Sequence, residues 1–219
     1  AGPIFLITFG RSYCWSILTP GAASAGTVAL AAHQIIINVF FLFSIAGHAV
    51  FQTVQAFMPE HQEEQKRTKK LGGEIHKQAT ANVRSLASKL LLVAAAVGIV
   101  QMFVSLVPTL LLPGVFCRDS EIIAAVRKEA YHLAWSILPH TTVLACEALL
   151  INGKDTDFLG INYIAFCLVW TWAVRSISRN YKDLSVLWRA MIAYAWGRGL
   201  SFAGRLMFSG ARMGIPVFS

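Results

Sequence analysis

Two ionisable side chains lie within stretches of sequence that are otherwise apolar. Glu147 lies in the run LACEALLI, and Arg11 interrupts an apolar run near the start of the chain. Glu147 is the only acid well inside a predicted membrane span. A carboxylate cannot stay charged in hydrocarbon without a partner, so Glu147 should exchange a proton as its surroundings alternate between dry and wet. A proton-coupled transporter needs this chemistry, whereas an acid that reaches water or forms a structural pair is the alternative.

The depth of both groups follows from helical geometry. Glu147 lies about six residues before a turn at 152–155, which makes it roughly 9 Å deep, and Arg11 lies about eight residues into its run, roughly 12 Å deep. Arg11 is able to bind an anionic substrate, to pair with Glu147, or to act as a snorkelling or structural residue. We predict Glu147 as the ion-coupling residue and place Arg11 in the substrate path.

The second apolar stretch carries polar residues at helical spacing. Gln34 and Asn38 are four positions apart, and Gln52 and Gln55 are three positions apart. A polar stripe on an apolar helix faces protein or a water-filled cavity. Packing between helices is the alternative to a path. The predicted substrate path comprises Arg11, Gln34, Asn38, His48, Gln52 and Gln55.

Composition indicates that apolar, membrane-spanning helices position these residues. The 219 residues are 56% hydrophobic and 14% charged, against about 45–50% and about 25% in typical soluble domains. Too few polar groups are present to cover a soluble fold, and a bilayer removes that need. Six segments approach the roughly 20 apolar residues that a crossing requires. These segments cover residues 3–18, 27–58, 86–112, 132–151, 158–174 and 184–208.

We therefore predict an all-α, polytopic membrane protein, a six-transmembrane-helix bundle that forms one domain over residues 1–219. A turn at 19–21 and the small residues up to Gly26 should end the first span. The polar stretch 59–85 is predicted as a loop, with some amphipathic helix, between the second and third helices. Residues 119–131 are predicted as an interfacial helix or as an extension of the next span. The net charge of +8 is assigned to loops at an anionic membrane surface rather than to nucleic acid.

Patterns typical of enzymes and metal sites are missing from the sequence. It contains no P-loop, HExxH, GxSxG or dinucleotide-binding fingerprint, and its four cysteines form no CxxC pair. One intramembrane acid is too few for the paired acids or histidine clusters of a membrane-embedded enzyme. We predict a protein without catalytic residues, metal site or cofactor, in which the coupling ion is H⁺, with Na⁺ as the alternative.

Several stretches resemble the multidrug and toxic compound extrusion (MATE) transporters. Residues 26–35, GTVALAAHQI, resemble the start of the eighth helix of that family, and residues 52–60, QTVQAFMPE, resemble a stretch of its plastid branch. Residues 147–155 resemble the motif of the tenth helix, and residues 196–198, WGR, resemble a motif of the last helix. The order and spacing match across nearly the whole chain. The chain thus resembles the C-terminal lobe of a two-lobed, twelve-helix antiporter.

The resemblance implies export of organic cations or organic acids against H⁺ or Na⁺ by alternating access, and it places the acid of the tenth helix at Glu147. Two departures from the family weigh against Na⁺, which prefers several oxygen ligands. The first segment has Arg11 and no acid where the seventh helix often carries one, and His48 stands where the family usually has Asp or Glu. Plant relatives of the plastid branch handle small phenolic acids, and Arg11 would suit such an anion.

We predict a secondary active antiporter that exports a small organic solute, either an organic cation or a phenolic or other organic acid. The predicted partners are the solute, the lipid bilayer and an N-terminal six-helix lobe that is missing from this chain, and nucleic acid is not among them. The expected location is multi-pass in a membrane, for which the resemblance suggests the chloroplast. A non-transporting structural or accessory subunit of a larger membrane complex is the alternative.

Overall fold

The computed structural model describes residues 2–217, and that part of the chain consists of helices and turns without a strand. The predicted all-α fold is confirmed. A π-helical turn, Val107–Leu111, extends the fourth helix, and a 3-10 turn, Pro113–Val115, follows it. The α-helices are α1 (Gly2–Ser16), α2 (Leu18–Ala23), α3 (Thr27–Lys69), α4 (Gly73–Leu106), α5 (Ser120–Ile137), α6 (His140–Asn152), α7 (Thr156–Asn180) and α8 (Leu184–Ser209).

These helices correspond to the six predicted spans, because α1 with α2, and α5 with α6, are halves of interrupted segments. The interruption between α5 and α6 lies at Leu138 and Pro139, where proline lacks the N–H that a continuous helix needs. Helix α1 is short for a membrane crossing, with 15 residues, and the three arginines of α8 lower its hydropathy. Four segments are long and apolar enough to cross a membrane: Thr27–Lys69, Gly73–Leu111, Ser120–Asn152 and Thr156–Asn180.

The structure corrects the predicted end of the first span and decides between the two alternatives for residues 119–131. The predicted turn at residues 19–21 is wrong, because these residues belong to α2. The segment ends at a turn at 24–26, within the stretch of small residues that the sequence also indicates. Pro20 occupies the first turn of α2, where its missing N–H has no intrahelical partner to lose. Residues 119–131 form the first part of α5 and its cap, so the extension is right and the separate interfacial helix is wrong.

The polar stretch 59–85 is helical, and the prediction of a loop there is wrong. Helix α3 continues through Pro59 and α4 begins at Gly73, so only residues 70–72 connect them. Glu, Gln, Lys and Arg dominate the stretch and are good helix formers. Gly72 and Gly73, with φ of 64° and 60°, provide a left-handed turn that other residues adopt poorly. The 43 residues of α3 make it roughly 65 Å long, well beyond one bilayer crossing.

Two clusters of buried apolar side chains hold the bundle together. One surrounds Leu149 and Phe202, and the other surrounds Phe40 and Trp188. Many large apolar side chains nevertheless point outward, including Leu168 of α7, which is 68% exposed. A soluble bundle would bury such faces, whereas a bilayer accommodates them. The packing therefore agrees with the membrane fold that the composition predicts.

Glu129 of α5 is a second buried acid, so Glu147 is not the only one inside a span. It is 1% exposed and accepts a hydrogen bond from Ser185 at the start of α8. A ring nitrogen of His132, one helical turn further along α5, lies 2.8 Å from its Oε2 atom. The contact with Ser185 joins α5 to α8, and neither contact involves a residue of the Glu147 cluster.

A candidate ion-coupling site

Glu147 of α6 is the centre of a buried polar cluster to which four helices contribute. Its side chain is fully buried. One carboxylate oxygen pairs with Arg11 of α1. The other accepts a hydrogen bond of 2.7 Å from the hydroxyl of Tyr163 on α7 and lies 3.5 Å from a guanidinium nitrogen of Arg198 on α8. The pair of Arg11 and Glu147 is one of the arrangements that the sequence leaves open.

Arg198 is the most enclosed cation of the cluster, with 4% of its side chain exposed. It donates a hydrogen bond of 2.8 Å to the Tyr163 hydroxyl. Its guanidinium carbon lies 5.1, 5.5 and 5.7 Å from the ring centres of Tyr163, Tyr194 and Phe202. Aromatic faces attract a cation through their quadrupole, most strongly where water is excluded. Arg198 is therefore fixed from several sides and not by Glu147 alone.

Arg11 is the member of the cluster that water or a solute can reach. Its side chain is 24% exposed and borders a cavity of about 110 Å³ between α1, α3 and the start of α6. His48, Ser44 and His140 also line this cavity. The cluster contains two guanidinium groups for one carboxylate, so one positive charge is left over. The cavity allows water to solvate that charge at Arg11, which a closed core would not.

The predicted polar stripe of α3 lies on an exposed face of the helix. Gln55 is the exception, because it is half-buried and donates a hydrogen bond of 3.2 Å to the backbone oxygen of Ala148, next to Glu147. His48 reaches the Arg11 cavity. The others have no hydrogen-bonding side-chain partner within residues 2–217. The exposed members of the stripe are Gln34, Asn38, His48 and Gln52.

The predicted site omitted Arg198 and Tyr163. Arg198 had a visible signal, since it is a cation inside an apolar segment and such residues are costly in a membrane. Tyr163 had none, because a tyrosine in an apolar helix is as common in a core as in a polar network. Only the order and rotation of the helices bring both residues to Glu147.

A comparison with curated proteins finds a plant relative of this chain. The chain is 26% identical over 212 residues to the protein called Protein DETOXIFICATION 47, chloroplastic, of Arabidopsis thaliana, a MATE protein. The resemblance to the MATE family is confirmed. MATE proteins are transporters and not enzymes. The aligned region covers 96% of this chain but 37% of the relative.

Two further comparisons give no match. No family model matches the chain, and no solved structure matches it. The support for the resemblance to the MATE family therefore comes from the plant relative and from the helical architecture.

Proposed function

We propose that this chain is the C-terminal lobe of a proton-coupled antiporter that exports a small organic solute across a plastid membrane. The chloroplastic MATE relative and the four helices able to cross a membrane support the transporter and its location. The observation that carries the coupling proposal is the fully buried Glu147 carboxylate, held between Arg11 and Arg198 on different helices.

Proton uptake by Glu147 requires Arg11 to withdraw from it. Arg198 is enclosed by aromatic rings and stays in place, whereas Arg11 borders a cavity into which its charge can move. A protonated Glu147 no longer compensates two guanidinium groups, so protonation and the departure of Arg11 towards water belong to one step. Alternating access would then expose the acid to one side of the membrane at a time.

Antiport requires the solute and the proton to compete for one group. A cationic solute, or one that donates hydrogen bonds, competes with the proton at Glu147 because both displace Arg11. A carboxylate solute would instead bind Arg11 and leave Glu147 to be protonated, which would carry solute and proton in the same direction. The direction of the pH gradient that drives transport therefore distinguishes the two solute classes.

We further propose that the exposed polar face of α3 borders a central path shared with a second lobe. Gln34, Asn38 and Gln52 lie on this face with Phe41 and Ile45, which are 43% and 64% exposed. Polar side chains inside a membrane face protein or a water-filled cavity rather than lipid. The chain also spans only 37% of the length of its relative, which leaves room for a second lobe.

Replacement of Glu147 by Gln in the natural, full-length protein tests the coupling proposal. Vesicles are reconstituted with the protein and loaded with a fluorescent organic cation, and efflux is followed after an inward proton gradient is imposed. We expect gradient-driven efflux by the wild type. Efflux from vesicles with the Glu147→Gln variant should be no faster than leakage from vesicles without protein. A melting temperature and a gel-filtration profile in detergent equal to those of the wild type would show that the variant is folded.

Glu129→Gln is the matched control, because Glu129 is also a buried acid but contacts α8 away from the cluster. It should retain gradient-driven efflux. Unchanged efflux by Glu147→Gln would remove Glu147 from the mechanism. In a parallel assay with a fluorescent carboxylate, efflux driven only by the opposite gradient would replace antiport by cotransport of a carboxylate at Arg11. A wild type without any gradient-driven transport would favour the accessory-subunit alternative.

A further inference from the structure

A cleft of about 410 Å³ lies between the α3–α4 hairpin and the segment that follows α8. We call it the cation cleft, because Lys66 and Lys69 of α3 and Arg212 after α8 line it. His76 and Thr80 of α4 complete its polar wall. Three segments that are far apart in sequence therefore direct cationic and polar groups towards one space.

No carboxylate lies within 4.0 Å of the three cations of the cleft in the part of the chain that the structure describes. Of the four acids of the hairpin, two have other partners, and the exposed Glu60 and Glu64 form no ion pair with any described residue. Glu63 pairs with Arg67 at 3.9 Å, and Glu74 pairs with Lys77 at 2.8 Å. Three positive charges thus share a small volume without compensation, an arrangement that repels itself and attracts an anion.

Contacts between uncharged residues hold the cleft in shape. The side-chain amide of Gln65 on α3 donates a hydrogen bond of 3.3 Å to the hydroxyl of Thr80 on α4, which joins the two arms of the hairpin. Gly214, with φ of 74°, forms the turn that brings the final segment against Gln65. A Cβ atom at Gly214 would lie 3.2 Å from the side-chain oxygen of Gln65, so the approach is close.

The cleft lies at the end of α8, where we expect the bundle to leave the membrane. The apolar helix α8 ends at Ser209, just before Arg212. The turn between α6 and α7 lies close to the same final segment, because a Cβ atom added at Gly153 would lie 3.1 Å from Met213 and 3.3 Å from Ile215. At the tip of the hairpin, Leu71 is 72% exposed. This end of the molecule therefore combines cations with apolar side chains at the level expected for lipid headgroups.

We propose that the cation cleft binds a phosphate-bearing anion, and its position favours an anionic phospholipid headgroup as the source. Lysine and arginine supply several N–H donors in the charged form, and a phosphate group offers oxygen acceptors for all of them. Basic clusters just outside a membrane helix bind anionic lipids through the same attraction. This site is separate from Glu147, so it does not depend on the proposed transport function.

Removal of the three charges of the cleft tests the proposal. The natural, full-length protein in neutral detergent is titrated with short-chain phosphatidylglycerol, short-chain phosphatidylcholine and inorganic phosphate, and binding is followed by native mass spectrometry and thermophoresis. The test variant carries Lys66→Gln, Lys69→Gln and Arg212→Gln. We expect its affinity for phosphatidylglycerol to fall by about tenfold or more, with phosphatidylcholine binding unchanged.

The matched control removes two lysines and one arginine elsewhere, through Arg84→Gln, Lys89→Gln and Lys154→Gln, all of them exposed. It should keep its affinity for phosphatidylglycerol, and equal melting temperatures would show that both variants fold. Inorganic phosphate that binds the wild type, competes with the lipid and fails with the cleft variant would assign the site to soluble phosphate. Equal loss in both triple variants, or none in the cleft variant, would overturn the proposal.

Discussion

At the residue scale, Arg11 and Arg198 share one carboxylate but are held in different ways. Arg198 has 4% of its side chain exposed and is surrounded by aromatic rings, whereas Arg11 has 24% exposed and borders a cavity. Either single replacement leaves Glu147 with one guanidinium partner, so the cost depends on the other contacts that are lost. For Arg198 these are the hydrogen bond to Tyr163 and the contacts with three aromatic rings, together worth about 3 kcal/mol. A cation that reaches water retains part of its hydration, so its loss should matter less.

We expect Arg198→Gln to lower the free energy of unfolding by about 3 kcal/mol and Arg11→Gln by about 1 kcal/mol or less. In a chain of this size each kcal/mol corresponds to roughly 2–4 °C in Tm. Thermal unfolding in detergent, followed by tryptophan fluorescence, measures the difference. Arg189→Gln is the control on α8, because Arg189 is exposed and should change Tm little. Equal losses for Arg11 and Arg198 would contradict the distinction between them.

At the scale of elements, the break between α5 and α6 lies in close contact with α4. A Cβ atom at Gly98 of α4 would overlap the backbone oxygen of Leu138, which lies at the break. Nearby, Thr141 of α6 donates a hydrogen bond of 2.7 Å to the side-chain oxygen of Gln101 on α4, and the amide of Gln101 donates to a backbone oxygen of α3. Small residues and such polar contacts are typical of helix packing in membranes.

We expect Gly98→Ala to destabilise the bundle by about 1–3 kcal/mol, because the added methyl group cannot fit without moving a backbone carbonyl. Gly204→Ala on α8 is the control, since a Cβ atom there would have nothing within 4 Å. That variant should be neutral or gain up to about 1 kcal/mol from helix propensity. Melting temperatures of the two variants in the same detergent measure the effect, and similar values would show that the contact at Gly98 is unimportant.

At the scale of the whole molecule, six consecutive crossings place alternate connections on opposite sides of the membrane. The hairpin of α3 and α4 and the turn between α6 and α7 then share one side, and the connection at 107–119 lies on the other. The hairpin carries the densest group of lysine and arginine residues, so the positive-inside rule orients that side towards the compartment from which the protein is inserted.

Cysteine labelling tests this arrangement. In a variant without the natural cysteines at 14, 146 and 167, Cys117 is compared with Lys70→Cys at the hairpin. A membrane-impermeant maleimide added to sealed vesicles of one orientation should label one position at once and the other only after permeabilisation. Lys154→Cys, in the turn between α6 and α7, should behave like Lys70→Cys. Labelling of Cys117 and Lys70→Cys from the same side would contradict the six crossings.

The sequence allowed prediction of those features that depend on local composition. The start of α3 at Thr27 and of α8 at Leu184 follow from apolar length and turn residues. The continuation of α3 through 59–69 could not be predicted, because good helix formers that are polar also dominate loops. Glu147 and Arg11 were found as charges in apolar runs. Their meeting with Arg198 depends on how the helices are ordered and rotated, which no local pattern encodes.

Helix α3 is a single rod of 43 residues that carries the exposed polar face along its middle and two lysines of the cation cleft near its end. A tilt of about 10° about its midpoint would displace each end by roughly 6 Å, given its length. Any ligand that anchors the lysine end against the bilayer surface would oppose that tilt. The lipid composition of the leaflet at the lysine end would then influence how far α3 tilts. The tilt in turn sets the width of the space in front of the polar face on the side of the opposite leaflet.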